Sequence, residues 1–308
     1  MVRGPILPSL MFYEVFYGHG GAGTLGDTLE GLLAEGFYKS VELGVVTEPG
    51  VQRLLRRKHG AEGLRVVAWL SSLGQREPLC FCALEEDRRA RSVELALQSL
   101  PHIAEAGGTG VGISSGADPG PGLREEARKR LLESFYTVGR RAASLGISLL
   151  LEPLDRVANK RNLLGPTPET LAMIYALRQA GVPVAFAWDA AHAALNGEDV
   201  EQSLESALPV LGQIHLSNAV TDPQDARYGD NHMAFGSGGF LTADCATRLL
   251  ARAHSERLEG GRAYAAMEVR CPPGGDPFRL ERECRAFLEG AMAAAARQSI
   301  DGTAGRER

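Results

Sequence analysis

Four stretches of this chain end an apolar run in a group that can bind a cation or move a proton. Val184-Ala-Phe-Ala-Trp-Asp189 breaks off at a carboxylate, and the imidazole of His192 follows three residues later. Ile147-Ser-Leu-Leu-Leu-Glu152, Gln213-Ile-His215-Leu216 and Tyr264-Ala-Ala-Met-Glu268 end in the same chemistry. One polar residue at a strand end is ordinary, because loops are polar; four of them make a set. Two glutamates, an aspartate and a histidine are hard oxygen and imidazole donors, suited to one divalent ion such as Mn, Mg, Co or Zn. Three clustered carboxylates would otherwise repel one another unless protons neutralised them.

Something must gather groups so far apart in sequence. Strand-like runs are expected over 7–16, 40–46, 64–70, 108–115, 147–152, 183–189, 213–218 and 263–269. Helices are expected over 24–37, 49–59, 84–105, 127–145, from Thr167, and over 199–211, 242–258 and 277–297. The helix over 127–145 is the clearest: Ala127, Leu131, Phe135, Val138, Ala142 and Leu145 recur at three or four residues, and Gly146 stands in the stop position. The helix at Thr167 begins in Thr-Pro-Glu-Thr, read as a cap with Pro in the first turn. Eight strand-helix units predict a single-domain (β/α)8 TIM barrel over residues 1–298, with a polar tail over 299–308. In a barrel all strand ends of one kind share a rim, so Glu152, Asp189, His215 and Glu268 can converge. The loops 71–83 and 220–240 follow strands on that rim and are expected to cover it.

Composition narrows the partner. A 308-residue chain that is 44% hydrophobic and 23% charged is an ordinary globular protein with room for a large core. Its net charge of −5 argues against a broad basic footprint for nucleic acid or anionic membrane, which leaves a small molecule. Five cysteines, at 80, 82, 245, 271 and 284, have no framework spacing and read as free thiols of a reducing cytoplasm. No window is long and apolar enough to span a membrane. Gly18-His-Gly-Gly-Ala-Gly23 has neither a Walker nor a dinucleotide spacing and reads as a strand-to-helix loop.

Leu151-Glu152-Pro-Leu-Asp-Arg156, Trp188-Asp189-Ala-Ala-His192, Ile214-His215-Leu-Ser-Asn218, Asp230-Asn-His232 with Gly236-Ser-Gly-Gly239, and Met267-Glu268 resemble the xylose isomerase-like barrel superfamily. That superfamily includes sugar isomerases, ketose 3-epimerases, inosose dehydratases and apurinic endonucleases of the endonuclease IV type. The resemblance covers the C-terminal two thirds. It implies that Glu152, Asp189, His215 and Glu268 bind the metal. It also places Glu152 and Glu268 on opposite sides of a substrate carbon, as catalytic groups, with His192 on the substrate. Arg156, Arg227, Asp230 and His232 are further candidates for substrate contact. The implied reaction is isomerisation or epimerisation of a sugar or polyol-like ketone through an enediolate. A metal-dependent lyase that eliminates water from the same intermediate is the near alternative, and an apurinic endonuclease-like phosphodiesterase the more remote one.

Two departures from the family pattern matter. The loop after the seventh strand carries Arg227-Tyr-Gly-Asp230-Asn-His232, similar to the endonuclease loop that binds an additional zinc, so His192, Asp230 and His232 could hold a second ion. The endonucleases also need histidines after strands three and four, where Trp69-Leu-Ser-Ser and Val111-Gly-Ile-Ser-Ser stand, and a full three-metal cluster cannot form. Past Arg156, where epimerases often place a glutamate, this chain has Val157, Ala158 and Asn159; Lys160 and Arg161 beyond them could grip an anionic group or be a solvated charge pair. A homo-oligomer is compatible with all of this.

Overall fold

In a computed structural model that describes residues 6–18, 22–74, 78–236, 238–254, 258 and 261–304, eight parallel strands close into a barrel. They are β1 (Ile6–Met11), β2 (Ser40–Leu43), β3 (Arg65–Trp69), β4 (Gly110–Ile113), β5 (Ser148–Leu151), β6 (Val184–Asp189), β7 (Leu211–Val220) and β9 (Ala263–Glu268). The order runs β6-β5-β4-β3-β2-β1-β9-β7, and β6 pairing with β7 closes the ring. The remaining strand, β8 (Gly229–Met233), is antiparallel to the outer end of β7.

Outside the ring lie α2 (Ala22–Ala34), α3 (Pro49–Glu62), α4 (Glu86–Glu105), α5 (Arg124–Ala143), α6 (Thr167–Gln179), α8 (Val200–Ala207), α9 (Ala243–Ala253) and α10 (Pro277–Ala304). Two short helices, α1 (Phe12–Val15) and α7 (Ala190–Leu195), turn directly off β1 and β6. The expected barrel is the observed one, with α10 running on into the segment read as a tail. Among the described residues no helix is long and apolar enough to cross a membrane. The five cysteines are free and buried.

Side chains on a strand point alternately to opposite faces, and that alternation builds the site. Met11, Val67, Trp69, Leu150, Ala187 and Ala266 fill the inside of the barrel as one cluster. Their neighbours Val66, Leu149, Leu151, Phe186, Trp188, Ala265 and Met267 belong to the larger core between strands and helices. Fully burying a side chain such as Phe186 contributes roughly 1.5–3 kcal/mol, so the outward set fixes which face of each strand looks in. Asp189 lies two residues past Ala187, and Glu268 two past Ala266, so both continue the inward row at the rim.

Several element boundaries differ from the sequence expectation, each for a visible reason. The first strand stops at Met11 because α1 begins there, with Phe12 stacked on Phe16. The 220–240 segment, expected as a loop, carries β8. The helix at 167 is capped from outside: Pro166 occupies the N-cap, and Glu198 accepts hydrogen bonds from Thr167 N (2.9 Å) and Oγ1 (2.9 Å). At the end of α5, Gly146 does adopt the left-handed conformation (φ 73°). The 78–83 part of the loop expected as a lid packs into the helix layer, where Cys80, Phe81 and Cys82 are buried and Phe81 meets Phe135 at 5.6 Å between centroids.

Candidate active site

The register of the barrel sets the tetrad side by side. Asp189 pairs with His215 across β6 and β7, and Ser217 pairs with Glu268 across β7 and β9, while Glu152 follows the last residue of β5. Glu152, Asp189, His215 and Glu268 each offer a donor atom within 4.8 Å of the others. Asp189 and His215 are buried, and the two glutamate side chains are each 12% exposed. The site is therefore sunk in the rim and open along the glutamates.

His215 organises the four. Its Nδ1 lies 2.8 Å from Glu152 Oε1 and 3.0 Å from Glu268 Oε2, and its Nε2 lies 2.9 Å from Glu42 Oε2. Glu42 is buried in the middle of β2, where Ser9 Oγ (2.8 Å), Gln213 Nε2 (2.8 Å) and Trp69 Nε1 (3.0 Å) donate to it. Gln213 in turn accepts from Arg65 Nη1 at 2.7 Å. A buried carboxylate needs such partners, since an unpaired one would be very costly. Asp189 accepts from the His192 backbone N–H at 2.8 Å and from the Ser217 hydroxyl, which aims its carboxylate.

The electrostatics are those of buried acids gathered around one imidazole. Burial pushes the Asp189 carboxyl up to about 7. Burial also raises Glu152, against the opposing pull of His215. Burial works against ionisation of Glu268, but the His215 charge and the close approach of the His215 and His232 rings outweigh it and hold Glu268 well below the usual range. Burial opposes charge on His215 as well, yet Glu42, Glu268 and Glu152 raise it well above the usual imidazole value. Glu268 Oε2 is buried without a hydrogen bond among the described residues, although His215 Nδ1 is 3.0 Å away. That nitrogen is hydrogen-bonded to Glu152 at 2.8 Å. Four converging donors, excess negative charge and an unsatisfied carboxylate oxygen all fit one divalent ion.

A second cluster borders the first. His192 Nδ1 faces Asp155, 3.1 Å from its backbone N and 3.5 Å from Oδ2, and Nε2 is 3.7 Å from Asp230 Oδ2. Burial opposes charge on His192, but Asp189, Asp155, Asp230 and Glu152 raise its pKa to about 9. His232 Nδ1 is 3.2 Å from Glu268 Oε1, and Nε2 is 3.6 Å from Asp230 Oδ2. His232 and Glu268 also form a group with Glu14, whose carboxylate is 2.6 Å from Arg270 Nε. Beyond the ends of β1 and β2 opens a cavity of about 540 Å³ lined by Phe12, Tyr13, Phe16, Tyr17 and Leu43.

Not every candidate reaches the site. Arg156 is committed to Glu169 (2.8 Å) and to the Leu163 carbonyl. Arg227 is half exposed and pairs with Asp225 at 2.8 Å. Asp230 and His232 do arrive, because β8 folds back over β7. Sequence reasoning missed Glu42, Glu14, Asp155 and Ser217. Of these Glu42 carried a signal as a carboxylate inside the apolar run Val41-Glu42-Leu43, and Asp155 and Ser217 stood without a role inside the segments that carry the resemblance.

The closed parallel barrel, with a carboxylate-histidine tetrad on its inner rim, is of the (β/α)8 class. The family described as xylose isomerase-like TIM barrel matches residues 34–254, and the chain belongs to that family. No curated protein matches the sequence. Among solved structures it is similar to an L-ribulose 3-epimerase at 18% identity and TM-score 0.70, covering 97% of each chain. A D-psicose 3-epimerase solved in the presence of D-fructose is similar at 15% identity and TM-score 0.69, over 94% of this chain and 99% of that one. The IOLI protein with a bound zinc atom is similar at 11% identity and TM-score 0.67, over 96% and 99%. At these identities the likeness is one of fold.

Proposed function

We propose that this protein is a divalent-metal-dependent epimerase or isomerase acting on a sugar or a related hydroxy-ketone. The observation that carries the reading is that Glu152 and Glu268 approach the same nitrogen of His215, at 2.8 Å and 3.0 Å, from strands β5 and β9. Two carboxylates that converge from different strands on one edge of a buried imidazole can serve as a pair, one removing a proton from a carbon and the other returning one. That the similar structures include ketose 3-epimerases supports the same reaction class.

The residues divide the work as follows. Glu152, Asp189, His215 and Glu268 would hold one divalent ion, which when bound supplies positive charge to the oxygens of a hydroxy-ketone and favours the enediolate. One glutamate takes the proton alpha to the carbonyl, and the other delivers a proton to the opposite face or the adjacent carbon. His192, held against Asp155 and Asp230, donates to a substrate oxygen. Glu42 keeps His215 oriented. The aromatic cavity by Tyr13 and Phe16 would take the apolar edge of the substrate, away from the charged rim.

The test is solvent exchange. Metal-loaded protein incubated with ketoses in deuterated water should place deuterium on the carbon next to the carbonyl, and metal-stripped protein should not. Absence of exchange across ketopentoses and ketohexoses would sink the reading. Release of water with net loss of substrate would move the protein to the lyases, and cleavage of an abasic duplex would move it to the phosphodiesterases.

A further inference from the structure

A second cavity, of about 410 Å³, opens at the end of the barrel opposite the tetrad. Arg65, Gly110 and Ser148 are the first residues of β3, β4 and β5, and Ala185, Gly212 and Tyr264 the second residues of β6, β7 and β9; all six line it. Counted two residues at a time, Ser148, Ala185 and Tyr264 begin the inward rows that end in Glu152, Asp189 and Glu268. Bulky branched side chains usually fill such a layer. Here glycine, serine and alanine stand on four neighbouring strands, and the space below Leu150 stays open. A Cβ on Gly110 would come 3.2 Å from Leu150 Cδ1, and one on Gly212 3.1 Å from Leu150 Cδ2, so both glycines border that space.

The wall of this cavity is positive. Arg65, Arg178 and Arg262 line it beside Thr109, Ser148 and Tyr264, and among the described residues no carboxylate does. Arg65 Nη1 donates to the amide oxygen of Gln213 at 2.7 Å, and its guanidinium lies 4.4 Å from the centroid of the Tyr264 ring. Both partners are neutral, so among the described residues Arg65 has no ion pair. Burial lowers its pKa, against the pull of Glu42 and Tyr264, but a guanidinium keeps its proton. A cation held out of water without a counter-charge is costly, and an anion in the cavity would offset that cost. Arg178 Nε donates to the Val184 carbonyl at 2.8 Å, which fixes that side chain at the wall, and Arg262 is exposed at the mouth.

We propose that this cavity binds a phosphoryl group, either inorganic phosphate or the phosphate of a small phosphorylated compound. Guanidiniums take phosphate oxygens by paired, charge-assisted hydrogen bonds. A phosphate ester carries about −1.5 to −2 charges at neutral pH, which suits three arginines with no carboxylate among them better than the single charge of a carboxylate does. The volume is that of a small-molecule site and leaves room for an organic body beside the phosphate. Arg65 is held in place before any ligand arrives, because Gln213, its partner, is itself bonded to Glu42 at 2.8 Å. Val67, Leu150, Ala187 and Ala266 fill the barrel between this cavity and the tetrad, so the proposal stands apart from the catalytic reading.

The experiment is calorimetric titration of the full chain with inorganic phosphate and with a hexose 6-phosphate, at an ionic strength held constant with chloride. The protein is dialysed free of metal, so that no phosphate binds an ion and the result does not depend on catalysis. Wild type is expected to bind one equivalent of phosphate. Arg65→Met should weaken this by at least about tenfold, the worth of a charge-assisted hydrogen bond. Arg262→Gln should weaken it several-fold, and Ser148→Leu should block it by filling the cavity. Arg279→Gln, which removes an exposed arginine at the rim end of α10, should match wild type. Circular dichroism shows which variants fold; if Arg65→Met does not, Arg262→Gln and Ser148→Leu decide. Hexose 6-phosphate binding at least tenfold tighter than phosphate, with the same dependence on these residues, assigns the site to a phosphorylated compound, and weaker or similar binding assigns it to free phosphate. The proposal is overturned by any of three results: no saturable binding at millimolar phosphate, affinity within twofold of wild type in folded Arg262→Gln and Ser148→Leu, or displacement of phosphate by an equal concentration of acetate.

Discussion

His215 Nε2 lies 2.9 Å from Glu42 Oε2, and this contact decides which ring nitrogen the barrel offers to its rim. A carboxylate there accepts a hydrogen bond from Nε2–H and turns Nδ1 toward Glu152 and Glu268. Glu42 cannot swing away, because Ser9, Trp69 and Gln213 all donate to it. The inner face of the barrel is therefore a relay of hydrogen bonds that ends at His215.

Glu42→Gln is the sharpest test of that relay. The amide has nearly the same shape, but its NH₂ can donate to His215 Nε2, which would put the ring proton on Nδ1, where the ion must bind. Metal affinity should fall about 10–100-fold, as expected for loss of such an orienting partner. Calorimetric titration of the apoprotein checks this, with far-ultraviolet circular dichroism to show an intact fold. Affinity within twofold of wild type would mean that Glu42 is only a packing partner.

The two-glutamate mechanism makes a symmetrical demand. Glu152→Gln and Glu268→Gln should each lower turnover by at least about 10²–10⁴-fold, the usual worth of a positioned acid or base. They should differ in partial reactions: the variant that keeps the first base still washes deuterium into substrate without forming product. Turnover near wild type in either one would leave the mechanism without its second group.

Metal-free protein should lose stability as the pH rises. Asp189, raised to about 7 by burial, and His192, raised to about 9 by Asp189, Asp155 and Asp230 against the effect of burial, both hold their protons more tightly folded than unfolded. The stabilisation from such groups is complete below the unfolded value and disappears as pH climbs through the folded one. The midpoint temperature of the apoprotein should therefore fall from pH 3.8 to about 7 through Asp189 and from 6.5 to about 9 through His192. A metal at the tetrad competes with the Asp189 proton, so its affinity, and the thermal shift it causes, should grow as the pH climbs toward about 7. Thermal scans at matched ionic strength, with and without manganese, measure both, and a pH-independent metal shift would contradict the assignment of the ligands.

The sequence made the barrel and the tetrad legible because both are written in short periods. An inward row such as Ala185, Ala187, Asp189 can be read two residues at a time, and the change from alanine to carboxylate marks the rim. The second cluster was legible only as residue types. Asp230 and His232 look like loop residues until β8 pairs back on β7, and Lys160, whose Nζ lies 3.0 Å from Asp230 Oδ2, has no local pattern at all. Its position depends on Asn159 meeting Asp230 across 71 residues. Arg156 and Arg227 misled for the complementary reason. A guanidinium beside a site motif suggests a substrate contact, but Glu169 and Asp225 had claims on them that only the folded chain displays.

Gly112→Ala should damage the metal site from the far side of the barrel. A Cβ on Gly112 would fall 2.1 Å from Trp69 Cε3 and 2.4 Å from two other atoms of that indole, so the ring must move. Trp69 donates to Glu42 at 3.0 Å and lies 5.1 Å from the His215 ring, and neither contact survives a displaced indole unchanged. Overpacking a filled interior costs typically about 1–3 kcal/mol. The particular expectation is that metal affinity falls along with the midpoint temperature, because the displaced ring is part of the scaffold of Glu42. Gly122→Ala, where the added Cβ meets nothing within 4 Å and φ is ordinary, is the matched control and should change neither quantity. Denaturant unfolding with metal titration on the three proteins gives the answer. A Gly112→Ala protein that is destabilised but binds metal as wild type does would show that Trp69 supports the barrel wall and not the site.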